Sequence, residues 1–109
     1  MNSEKSIKDE KSLREKLLSG DRQAISNCID CEHRLSVVYA LCGVIKYKID
    51  TPQIRRALEK HRNDGSFEFC VRVSWLAIAA LDVLGIEKYT GDDEQIKEII
   101  EDQFAWVKV

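Results

Sequence analysis

Proline is almost absent and glycine is sparse. One Pro and five Gly are too few to punctuate a sheet with turns, whereas Leu, Ile, Ala, Lys and Glu are dense. These proportions predict an all-α fold of helices joined by short loops. Histidine is scarce too, and neither His33 nor His61 has a nucleophile near it in the sequence; both read as surface histidines. No GxGxxG and no P-loop occurs, because Gly20, Gly43, Gly65, Gly85 and Gly91 are scattered. The carboxylates Asp92-Asp93-Glu94 lack a partner of raised pKa and read as a helix start that favours negative charge. The chain is therefore expected not to be an enzyme and to need no cofactor. Membrane length is missing as well: Arg72 and Asp82 interrupt the most apolar stretch before it reaches the ~20 residues that cross a bilayer. The opening MNSEKSIKDEKS has no apolar centre of the kind a secretory signal needs, which predicts a cytoplasmic location with reduced thiols.

Four cysteines are present. Cys28 and Cys31 form a CxxC, but no second CxxC or HxxxH completes a tetrahedral zinc set, so no metal site is expected. A thioredoxin-like motif would need a strand before it, and none is predicted there. All four read as unreactive thiols of a small reduced helical protein, with Cys42 and Cys70 on inward faces.

What the 109-residue chain does have is one core's worth of apolar residues, enough for a single domain. Residues 1–11, polar apart from Ile7, are expected to fray. Ser12 and Glu15 form a capping box, and Leu13, Leu17 and Leu18 make one stripe. Ser19-Gly20-Asp21 breaks this helix, and Asp21 caps the next, Arg22 to Ile29. A third helix, Glu32 to Lys46, places Leu35, Val38, Leu41, Cys42 and Ile45 at the spacing of a buried face. Thr51-Pro52 is the sharpest boundary, a hydroxyl cap followed by proline at the first helical position; the helix it starts runs to His61 with Ile54, Ala57 and Leu58 inward. Asn63-Asp64-Gly65-Ser66 is a loop.

Phe67 to Leu84 is apolar at nearly every angle of the helical wheel and predicts a buried central helix, with Trp75 enclosed by its neighbours. A last helix is expected over Asp93 to Trp106. Short helix, tight turn, long apolar helix occurs twice, over 21–46 and 51–84, and Arg34-Leu35-Ser36-Val37-Val38 aligns on Arg72-Val73-Ser74-Trp75-Leu76. Repeats of about 40 residues with two helices each belong to the HEAT and armadillo class. Cys70-Val71-Arg72 before an alanine-rich helix, and His33-Arg34 before Tyr39-Ala40-Leu41, resemble the HEAT signature. The resemblance covers about residues 12–104 and implies a short stack of about six helices whose faces bind macromolecules.

Charge is segregated along the chain. Residues 46–62 hold six basic and two acidic side chains, residues 86–109 three basic and seven acidic. Glu94, Glu98, Glu101 and Asp102 share one stripe of the last helix and Ile96, Ile99, Ile100 and Trp106 the other. With Glu87, Asp92 and Asp93 they make a negative field suited to a basic partner, with Trp106 either the aromatic anchor beside it or, as is commoner for a tryptophan on an apolar face, a seal on the end of the stack. The basic run Lys46, Lys48, Arg55, Arg56, Lys60 and Arg62 is the alternative, a phosphate-binding face for nucleic acid, disfavoured by the negative overall charge and by an expected lack of exposed aromatics in the patch. Size, charge and helical architecture together resemble the small immunity proteins of bacterial polymorphic toxin systems, including contact-dependent growth inhibition. That resemblance implies an antitoxin that caps a basic toxin domain, such as a nuclease, by steric and electrostatic occlusion.

Overall fold

The computed structural model describes residues 12–68 and 70–107, the last by its backbone only; the expectation for residues 1–11 lies outside them. Six α-helices account for most of the described chain: α1 (12–18), α2 (Arg22–Cys28), α3 (Arg34–Tyr47), α4 (Pro52–His61), α5 (Val73–Val83) and α6 (Glu94–Glu101). A two-stranded hairpin, β1 (Phe67–Glu68) and β2 (Val71–Arg72), precedes α5, and a 3-10 turn (Ala105–Val107) follows α6. The fold is thus mostly helical, as composition predicts.

Local chemistry fixes the ends. The Asp21 carboxylate accepts the Ala24 amide at 3.0 Å, and Thr51 Oγ1 accepts the Ile54 amide at 3.1 Å, each satisfying an orphan donor of the first turn. His33 caps α3: its Nδ1 accepts the Ser36 amide at 3.3 Å and lies 2.8 Å from Ser36 Oγ. At the far end Lys48 turns left-handed (φ 52°), the Ile49 amide donates to the Val44 carbonyl, and the Ile49 side chain enters the core.

Two helices form the centre. Within α3, Val37, Val38 and every residue from Ala40 to Ile45 are buried, so this helix is enclosed on nearly all sides. Helix α5 packs against α3, α4 and α6, and α2 packs on α3. The expected single buried helix over Phe67 to Leu84 is corrected in two ways. The helix starts only at Val73, and Trp75 is half-buried instead of enclosed. The backbone there forms a hairpin, with Phe67 paired to Arg72 and Glu68 to Val71, so that Val71 enters the core while Phe67 stays exposed beside Arg72. The loop before it also supplies what a longer helix would have supplied: the carbonyls of Ser66 and Asp64 accept the Val73 and Ser74 amides, so α5 starts without a side-chain cap.

Three further corrections follow from packing. His61 is 1 % exposed, not at the surface. With Ile54, Ala57 and Leu58 it completes the i, i+3, i+4, i+7 inward stripe of α4, and its Nε2 donates to the Ile29 carbonyl at 2.6 Å. Cys70 is exposed, not inward, because it sits in the hairpin turn. Helix α6 stops at Glu101: Asp102 is extended, and its carboxylate accepts the Phe104 amide to start the turn into Ala105–Val107.

Gly43 lets α1 approach α3. A Cβ there would lie 2.3 Å from the Leu17 carbonyl oxygen and 2.9 Å from Ile25 Cδ1. Alanine has the better helix propensity by ~1 kcal/mol, but a backbone atom at that distance cannot step aside. Gly43→Ala is therefore expected to destabilise by about 1–3 kcal/mol, read as a fall in the urea midpoint at unchanged slope. A stabilised variant would show that α1 does not seat on α3.

Candidate protein-interaction surface

Helix α6 is seated by its apolar stripe. Ile96 and Ile99 are buried against the core and Ile100 partly so, which turns Glu94, Glu98 and Glu101 to solvent. The approach to the helix is fixed by Tyr89, whose amide donates to Asp82 and whose hydroxyl accepts the Asp93 amide at 2.9 Å. Asp93 in turn accepts the Gln95 amide as N-cap. Asp92, Asp93, Glu94, Glu98, Glu101 and Asp102 are all exposed, so the structure brings six of the eight expected contact residues to one element.

The other two go elsewhere. Glu87 forms a two-contact ion pair with Arg62, one arm at 3.1 Å, and so ties the loop after α5 to the end of α4. Trp106 is 9 % exposed, and its indole N–H donates to the Gln103 carbonyl at 2.8 Å. It seals the core beside Cys42, whose thiol burial pushes up to about 12, and offers no exposed anchor.

The two charged poles differ in how far they are neutralised. In the basic run Arg55 is held by both oxygens of Asp50 at 2.7 Å, Lys60 pairs with Asp30 at 3.5 Å, and Arg62 binds Glu59 and Glu87. Lys46, Lys48 and Arg56 have no ion-pair partner among the described residues. On α6 the one counter-charge is Lys97, 3.5 Å from Glu94. Glu98, Glu101 and Asp102 sit at the C-terminal end of the helix, where the macrodipole is negative and no basic residue occupies the last turn. Acids at that end cost roughly 0.3–1 kcal/mol each, where cations would stabilise. Asp102 has a structural use in its bond to the Phe104 amide; Glu98 and Glu101 oppose the stability of the free helix.

Sequence reasoning missed the exposed aromatics. Phe67 is 52 % exposed, its ring edge-on to Trp75 at 5.6 Å, with the Arg72 guanidinium 4.2 Å above it and donating to the Gly65 carbonyl. This aromatic–arginine ledge has the composition of interaction hot spots; the residues Phe67 to Arg72 carry no clean alternation that would have located it. Tyr47, 46 % exposed, stands within the basic run, with Lys46 Nζ 5.4 Å from its ring and Gly20 beneath it.

Three carboxyls are held below the usual range. Hydrogen bonds from Arg55 lower Asp50, and those from Arg62 lower Glu87. Burial works to raise Asp64, but hydrogen bonds from the Ser66 hydroxyl and amide and the Arg34 guanidinium outweigh it. A lowered folded pKa contributes stability that is complete above the unfolded value, about 4, and is lost as pH falls through the folded value. Melting temperature is therefore expected to drop as pH falls below about 4. Asp64→Asn should melt lower at neutral pH and respond less to acid; an equally steep acid response would assign the loss to other groups.

Among the described residues, no group of three or more His, Cys, Asp or Glu is placed to hold a metal ion, and no helix is long and apolar enough to cross a membrane. Comparison with protein-family models, with curated proteins and with solved structures finds no match.

Proposed function

We propose that the chain is a non-enzymatic protein-binding domain whose partner is a basic protein engaged by the exposed acids of α6. One observation carries this reading: Glu98 and Glu101 stand at the negative end of the helix with no basic residue in its last turn, a placement that disfavours the free helix and is offset when cations arrive from outside. Half of the basic run is, by contrast, already neutralised within the chain. The finer form of the proposal is an immunity protein built as a HEAT-like stack, with α2–α3 and α4–α5 as successive helical pairs and α6 closing the series. It would neutralise a toxin of the contact-dependent growth inhibition class, a nuclease whose phosphate-binding surface the α6 acids occupy. A generic protein-interaction scaffold uses the same face without a toxin.

The test is retention from the native cell on immobilised protein. The reading predicts a basic protein that elutes at about 1 M salt, where the screening length falls to ~3 Å, and whose nuclease activity is suppressed by an equimolar amount of this chain. Retention of nucleic acid would instead support the second reading, a nucleic-acid module using Lys46, Lys48, Arg56 and the exposed Tyr47. A salt-sensitive gel shift would then replace the protein complex.

A further inference from the structure

The CxxC does not behave as two separate core thiols. Cys28 is the last residue of α2, and the Cys31 amide donates to the Cys28 carbonyl at 3.2 Å, closing a four-residue turn. Such turns hold their first and last Cα atoms within ~7 Å, the range in which a disulfide forms at about 4.4–6.8 Å. Both thiols are free, and the Cys31 thiol donates to the His33 carbonyl at 3.6 Å, a weak contact that it must leave to reach Cys28.

The turn is also held from outside. The Ser26 carbonyl accepts Gln53 at 2.8 Å, the Ile29 carbonyl accepts the buried His61, Asp30 pairs with Lys60, and the Cys31 carbonyl accepts Arg34 at 2.8 Å. Every connection comes from α3 or α4, so the backbone of the turn is fixed before any bond forms, and closing it asks only the two side chains to rotate. Cys28 is buried while Cys31 is half-exposed, which gives the two sulfurs different roles.

We propose that Cys28 and Cys31 form a reversible dithiol–disulfide site whose substrate is a small disulfide of the oxidised-glutathione class. The Cys31 thiolate attacks one sulfur of the oxidant, forming a mixed disulfide and releasing the first small thiol. Cys28 then loses its proton and attacks Cys31 Sγ, closing the protein disulfide and expelling the second small thiol. Two electrons pass from the protein to the oxidant, and the two protein thiol protons end on the two released thiols. The pair lies at the C-terminal end of α2, not at the N-terminal end that lowers thiol pKa values. Closure is accordingly slow at neutral pH and accelerates about tenfold per pH unit as the Cys28 thiolate fraction rises. This inference is independent of the proposed partner.

The experiment equilibrates the full chain carrying Cys70→Ser, which removes the exposed thiol, in glutathione buffers of stepped ratio. Free thiols are alkylated and mapped by mass spectrometry. The expected result is a monomeric protein losing two hydrogens between Cys28 and Cys31, reversed by dithiothreitol, with Cys42 reduced throughout. A further Cys28→Ser change should trap one glutathione on Cys31. Accumulation of glutathione on Cys31 with Cys28 intact, or free thiols at every ratio while the fold persists, would overturn the proposal.

Discussion

Leu41→Ala is expected to lower the unfolding free energy by about 2–5 kcal/mol, the largest single effect anticipated in this chain. Leu41 has no exposed surface, and its helix is walled by α2 on one side and α5 on another. Truncation removes the transfer energy of the lost carbons and leaves a cavity that neighbours such as Val37 and Ile45, rigid at their branched β-carbons, fill poorly. Against a total of roughly 5–15 kcal/mol for a domain of this kind, the variant should unfold at markedly lower urea with an unchanged slope. A loss below about 1 kcal/mol, usual for surface positions, would mean that α3 is not enclosed.

Reversing Glu98 and Glu101 to lysine is expected to act in opposite directions on the free chain and on its complex. In isolation the two lysines complement the helix dipole where the glutamates oppose it, so the free protein should be more stable by roughly 0.3–1 kcal/mol per site. Binding to a basic partner should weaken about 10²-fold, mostly through slower association, because complementary charge steers encounter. Titration calorimetry, stopped-flow association and a thermal melt on one preparation read all three quantities. A variant that melts higher and binds as before would remove the α6 acids from the interface; one that melts lower would show that the glutamates support the fold.

Legibility differed by the kind of interaction. Caps at Asp21 and Thr51 were readable because a cap is a local bond between residues three apart. The α6 stripe was readable because its side chains alternate between core and solvent at the helical period. The hairpin was not, since Phe67 to Arg72 continues the apolar run of the helix after it, and the decision lay in carbonyls of Asp64 and Ser66 that receive the first amides of α5. His61 was misread by residue type although its position on the stripe of Ile54, Ala57 and Leu58 was in plain view. The neutralisation of the basic run was only partly readable: Arg55 meets Asp50 and Arg62 meets Glu59 within five residues, but Lys60 meets Asp30 and Arg62 meets Glu87 across 30 and 25 residues of chain. Trp106 was placed on the correct, apolar side of the last segment, and its burial follows from the turn at Asp102 that folds it back on the core.

The most direct test is amide hydrogen exchange on the chain with and without its captured partner. New protection confined to residues 92–102, with residues 46–62 unchanged, is the predicted footprint. Protection centred on Lys46, Lys48 and Arg56, with α6 exchanging as in the free protein, would contradict it.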